Sequence, residues 1–267
     1  MVARLLTLCK DTLADARSGV AAWRIWGKFA WYDLLARYRH SWLGPFWLTI
    51  SAAVFIATLS LVYGTLFRQP IRDYVPFVAL GIACWSFVSS VASEGVSTFV
   101  ESESYLRQVR ASPLIYVLRV LWRNILVFLH QFAVALLVVV LAGKLRLDFL
   151  PIAAFGLLLL FLQALWVIPL LGFIGTRYRD LQPITTNILQ VLVFITPIVW
   201  FPSALGSRRW IADVNPLTSL IAVLRDPLLG EVPSLGAYAF VGVITVIGLV
   251  TAVLFYGRYR SRLIYWL

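Results

Sequence analysis

Acidic side chains are scarce in this sequence. Its 267 residues include 12 Asp and Glu against 23 Lys and Arg, and charged residues make up only 13% of the chain. A soluble domain carries about 25%. With 61% hydrophobic residues and a mean hydropathy of +0.87, the composition excludes an ordinary soluble domain and points to a bilayer protein. Cysteine is nearly missing too. Cys9 and Cys84 have neither metal-ligand spacing nor a reason to pair, and both read as inert. Only two histidines occur, His40 and His130. No metal site and no Ser-His-Asp constellation can be placed on so few. His130, beside Gln131 in an apolar run, reads as an interhelical hydrogen-bonding residue.

Nucleotide-binding chemistry is absent as well. The pairs Gly27-Lys28 and Gly143-Lys144 lack the upstream glycine of a phosphate loop, which would fall at Ala22 or Val138. They also lack the following Ser or Thr, since Phe29 and Leu145 come next. The net charge of +11 does not imply nucleic acid, because no basic block exceeds a few residues. Membrane proteins gather the same charge at headgroups and cytoplasmic loops. Residues 1–15 do not read as a secretory leader, since Lys10, Asp11 and Asp15 interrupt a short apolar stretch. Nor is there a carboxylate near the middle of any apolar run, as ion-coupled transporters usually keep. Glu94, at the end of the second run, comes nearest. Energy for transport is therefore expected from a partner.

Long apolar runs are abundant. A membrane helix needs roughly 20 such residues, and six stretches qualify: 46–67, 75–93, 114–142, 149–176, 184–201 and 235–256. Six spans put both ends of the chain on one side. That side gathers roughly 16 basic residues against roughly 7 on the other, which predicts cytoplasmic termini. The expected fold is an all-α membrane protein, one permease domain over 1–267. Residues 1–45 would hold a cytoplasmic interfacial helix, and 46–267 a six-span bundle. Arg119 and Arg123, one turn apart at the start of the third run, either snorkel or face protein.

Before the first run, Trp31, Leu34, Leu35, Tyr38 and Trp42 share one helical face, with Asp33, Arg37 and His40 opposite. This predicts a helix lying on the inner leaflet, with a helix packed on other protein as the alternative. Between the last two runs, Leu217, Leu220, Ile221, Leu224 and Leu228 recur at helical spacing after Asn215-Pro216. That stretch is too short to cross, and its apolar face needs cover, which predicts re-entrant outer helices. On the cytoplasmic side, Glu101 and Glu103 precede Arg107 and Arg110, with Tyr105 and Leu106 between, in a short mixed-charge amphipathic stretch suited to docking on a soluble protein. The pairs Arg37/Arg39 and Arg177/Arg179 have the forked donors that bind lipid phosphate. Aromatics make up 15% of the chain. Most suit interfacial belts, while Tyr63, Trp85, Phe87, Trp166 and Phe194 are candidates for lining a glycan path.

Five stretches resemble, in order, one family: LLARYRHSWLGPFW, YLRQVRASPLIYVLR, TRYRDLQPITTNILQVLVFITPIVW, NPLTSLIAVLRDPLLG and the final RYRSRLIYWL. The chain is similar to the membrane-spanning permease subunits of bacterial ATP-binding-cassette exporters for O-antigen, capsule and teichoic acid. The resemblance implies a homodimer bound to two ATPase subunits, with ATP and magnesium held by those partners and no cofactor in this chain. It implies residence in a bacterial inner or plasma membrane and a lipid-linked polysaccharide as cargo. It places a coupling helix near 97–110, with Glu101, Glu103, Tyr105, Arg107 and Arg110. Headgroup docking would fall to Arg37, Arg39, Arg177 and Arg179. An outer gate would lie at Asn215, Pro216, Leu220 and Leu224. The segment from Arg107 to Pro113 departs from the basic, Phe-Pro-rich run usual there. An exporter of a drug or small lipid would share this topology. A lipid-linked sugar transferase would need acidic or metal chemistry that the sequence does not offer.

Overall fold

A computed structural model describes residues 12, 14–37, 39, 41–44, 46–109 and 111–267. Cys9, Tyr38, His40 and Arg110 lie outside the described residues. Among those described, all regular structure is helical. The interfacial helix α1 (Trp23–Arg37) leads into α2 (Phe46–Leu66), α3 (Ile71–Ser97) and the short α4 (Glu103–Gln108). Then come α5 (Leu114–Leu141), α6 (Leu150–Arg177), α7 (Leu181–Ile195), α8 (Trp210–Val214), α9 (Pro216–Leu228), α10 (Leu235–Tyr259) and α11 (Leu263–Trp266). Helices α3 and α6 form the centre. Helices α2, α5 and α7 pack on α3, α9 and α10 pack on α6, and α1 lies against α5.

Five helices are long and apolar enough to cross a bilayer. The fifth run, expected over 184–201, instead yields the 15-residue α7 followed by non-helical chain. Fifteen residues reach about 22 Å at 1.5 Å each, short of a hydrocarbon core of about 30 Å. The cause is local. Thr196 precedes Pro197, a position from which helical geometry is disfavoured, and it adopts φ −85°, ψ 134°. Pro169, by contrast, stays inside α6. His130 bonds the Leu126 carbonyl of its own helix at 2.8 Å rather than a neighbouring helix.

Glycine lets α6 touch its neighbours backbone to backbone. A Cβ on Gly156 would stand 2.0 Å from the Val223 carbonyl oxygen of α9, and one on Gly175 would stand 2.4 Å from that of Val96 on α3. Gly156→Ala is expected to push α9 off α6. Overpacking costs about 1–3 kcal/mol, and more where backbone must move. A lower melting temperature of the purified protein checks this, and an unchanged one would count against the close approach.

Candidate functional site

One end of the bundle is built around a buried cation. Arg123 of α5, 7% exposed, donates from Nη1 to Asp33 of α1 at 3.0 Å and from Nη2 to Glu94 of α3 at 2.8 Å. Arg119, one turn earlier, forms a two-pronged pair with Asp33, both bonds 2.6 Å. Asn124 donates to Glu94 at 2.7 Å, and Arg37 does so at 3.2 Å. Burying a guanidinium is tolerable only with charge and hydrogen bonds returned to it, and α1 and α3 supply them. Asp33, on the polar side of α1, therefore faces protein, and Arg37 reaches Glu94 while staying exposed. Leu34, assigned to the lipid face, is buried together with Ala30, whereas Trp31, Leu35 and Trp42 are exposed as that face requires. A second acid, Asp15, anchors the segment before α1. It accepts bonds from Ser112 (2.9 Å) and Tyr256.

The mixed-charge stretch adjoins this cluster. Glu94 and Glu101 flank the end of α3, where Ser97 donates to Glu101 at 2.6 Å. Three of the sequence-selected residues lie on α4. Glu103 and Arg107 pair across one turn at 2.8 Å, and Tyr105 meets the Phe29 ring of α1 at 6.0 Å while remaining half exposed. Leu106 is buried and roots α4 in the same core as Leu263 of the C-terminal helix α11. The outcome is a charged ledge whose apolar underside is fixed.

The four arginines chosen for lipid phosphate separate into two kinds. Arg37 is engaged by Glu94. Arg177 lies 5.3 Å from the Trp266 ring centre and 5.4 Å from that of Tyr178. Arg39 and Arg179 are exposed and have no ion or ring partner among the described residues.

At the opposite end, three side chains grip the break after α7. Arg225 of α9, 3% exposed, donates to the Pro197 carbonyl at 2.7 Å, bonds Asp226 at 3.0 Å, and sits 3.9 Å over the Phe77 ring. Asn215 donates to Thr196 at 2.9 Å and caps α9 by accepting from Leu217 at 3.0 Å. Tyr74 donates to the Val199 carbonyl. These bonds satisfy the backbone groups that leaving helical geometry exposes, as a bilayer demands. Of the gate residues, Leu220 and Leu224 are buried, Asn215 holds the latch, and Pro216 opens α9.

Pro216 and Leu220 also border an apolar cavity of about 270 Å³ between α3, α6 and α10, lined in part by Phe87 and Trp166. Its Gln163 is satisfied, donating to Thr245 at 2.6 Å and accepting from Trp166 at 2.7 Å. The other selected aromatics lie elsewhere. Phe194 is 73% exposed on α7, Tyr63 stacks on Phe67 at 5.8 Å, and Trp85 is partly buried against the core.

Sequence reasoning placed Asp33 on a polar face without a partner and gave Arg225 no role. A signal existed for Asp33, which is the sole acid between Asp15 and Asp73 in a basic stretch. Arg225 offered one too, as a cation inside an apolar helical repeat.

Comparison with known proteins agrees with this architecture. The described helices α1 through α9 fall within the stretch matched by the model of the ABC-2 type transporter family, residues 27–229, apart from the first residues of α1. The chain is similar to the O-antigen export system permease protein RfbA of Myxococcus xanthus, 25% identical over 219 residues, covering 79% of this chain and 84% of that protein. It is also similar to two proteins of the same name from Klebsiella pneumoniae. One is 23% identical over 81% of this chain and 86% of its own length, the other 21% over 83% and 85%. The membership implies an ATPase partner. With its model matched over most of the length and apolar helices to carry it across the bilayer several times, the chain belongs to the ABC-2 type transporter family as a membrane-spanning transport subunit.

Proposed function

We propose that this permease moves a lipid-linked polysaccharide from the cytoplasmic side of a bacterial inner membrane to the outer side, driven by ATP hydrolysis in a separate subunit. The observation that carries the reading is the relationship to O-antigen export permeases over about four-fifths of both chains. Two copies of the chain would pair, each with one ATPase. The exposed apolar faces of α2 (Val54, Phe55, Leu61, Val62) and of α7 (Ile184, Ile188, Val191, Phe194) support such a seam. No residue of α7 is fully buried within one copy.

In this reading the ATPase closes on the ledge of Glu101, Glu103, Tyr105 and Arg107. The push reaches Glu94 through the end of α3, and from there α1 and α5 through Arg123. Arg39 and Arg179, unengaged by carboxylates, would meet the anionic lipid head at the inner surface. Both termini would be cytoplasmic, and the whole of 1–267 would act as one domain.

Depletion of the permease in its host is the deciding experiment. Lipid-linked glycan is expected to accumulate on the cytoplasmic leaflet while surface glycan falls. Unchanged surface glycan would sink the polysaccharide reading. Arg39→Ala with Arg179→Ala should cut export several-fold while the ATPase still co-purifies, as charge-assisted bonds to the headgroup are lost. Full export in that double variant would remove them from the docking step.

A further inference from the structure

Helix α1 carries two cations that none of the described acidic residues neutralises. Arg24 and Lys28 are four residues apart on α1 and so share one face. Both are exposed, and neither has a carboxylate partner among the described residues. Every other rim arginine on α1 or α5 described above is different, since Arg37, Arg119 and Arg123 are answered by Asp33 or Glu94.

Arg24 and Lys28 border a groove of about 760 Å³ walled by Trp23, Trp26, Trp31 and Trp122, the last on α5. The walls are ordered. Trp26 and Trp122 meet edge to face with ring centres 6.1 Å apart, and the Arg24 guanidinium lies 5.4 Å from the Trp23 ring centre. Two adjacent cations with no counter-charge among the described residues call for an anion.

We propose that this groove binds the phosphate headgroup of an anionic phospholipid of the inner leaflet, such as phosphatidylglycerol, held between Arg24 and Lys28 and bordered by the four tryptophan rings. Tryptophan walls belong at headgroup depth, and an interfacial helix with basic residues is drawn to anionic lipid. A soluble anion would have no use for four indole faces. The site is independent of what the permease transports, because it lies on α1 and α5 and shares no residue with the headgroup-docking arginines Arg39 and Arg179.

The test is native mass spectrometry of the full-length permease titrated with phosphatidylglycerol, phosphatidylcholine or inorganic phosphate. The unmodified protein is expected to retain phosphatidylglycerol in preference to phosphatidylcholine. Arg24→Gln with Lys28→Gln should weaken retention about tenfold or more. Arg262→Gln, an exposed cation on the same side but outside the groove, should retain the lipid fully. Thermal melting without added lipid verifies that the variants fold. Equal retention by all variants, or no preference over phosphatidylcholine, overturns the site. Displacement of the lipid by millimolar inorganic phosphate overturns the lipid assignment in favour of a free anion.

Discussion

Glu94→Ala should leave almost no monodisperse protein after detergent extraction. The change strips the buried Arg123 of one of its two part-buried carboxylates and removes one acceptor of Asn124 and that of Arg37. Removing one partner of a buried ion pair costs about 3–5 kcal/mol, a large part of the 5–15 kcal/mol that holds a typical domain together. The exposed pair on α4 provides the contrast. Glu103→Ala breaks a bond whose partners are largely in solvent, so its loss should be within about 1 kcal/mol. A compensating variant separates charge from packing. Glu94→Gln with Arg123→Met removes the cation together with its acid and should recover extractable protein. If Glu94→Ala alone purified in normal yield with an unchanged melting temperature, the cluster would not be what binds α1, α3 and α5.

Arg225→Met should have the second largest effect, at the other face of the membrane. Methionine preserves much of the volume over the Phe77 ring but withdraws the donor from the Pro197 carbonyl and the counter-charge from Asp226. An unsatisfied buried acceptor costs about 1–3 kcal/mol, more when charged. The outer end of α7 should come loose, and glycan export should fall further than the amount of protein does. Arg225→Lys keeps the charge without the planar fork and should lie between the two. The measurement is surface glycan per unit of membrane-inserted permease. Equal ratios for parent and methionine variant would show that the latch has no part in transport.

The spans were legible because hydropathy is additive along a helix, so 46–67, 114–142, 149–176 and 235–256 needed no tertiary information. The fifth run overshot for a related reason. Composition does not register a missing amide hydrogen, and Ile198, Val199, Trp200 and Phe201 are as apolar as the helix before them. The Thr196-Pro197 step carried the relevant signal, that of a residue held extended before a proline. The short helix α9 was legible because a stripe from Leu217 to Leu228 is too short to cross yet must be covered. The ion cluster was not. Arg123 finds Asp33 across 90 residues of sequence and Glu94 across 29, and nothing local to any of the three says which partner it takes. The orientation of α1 followed from the same pairing, because its polar stripe reads alike whether it faces water or a buried guanidinium.

The contacts of Gly156 and Gly175 bear on how such a machine can change shape. Where main chains of neighbouring helices meet directly, there is no cushion of side chains to re-sort, and packed interfaces switch between discrete arrangements rather than deform. Helix α6, abutted by α9 at one level and α3 at another, then behaves as a stator. Displacement during a turnover falls to the loosely held periphery, α2 and α7, pivoting against a hub that keeps its shape.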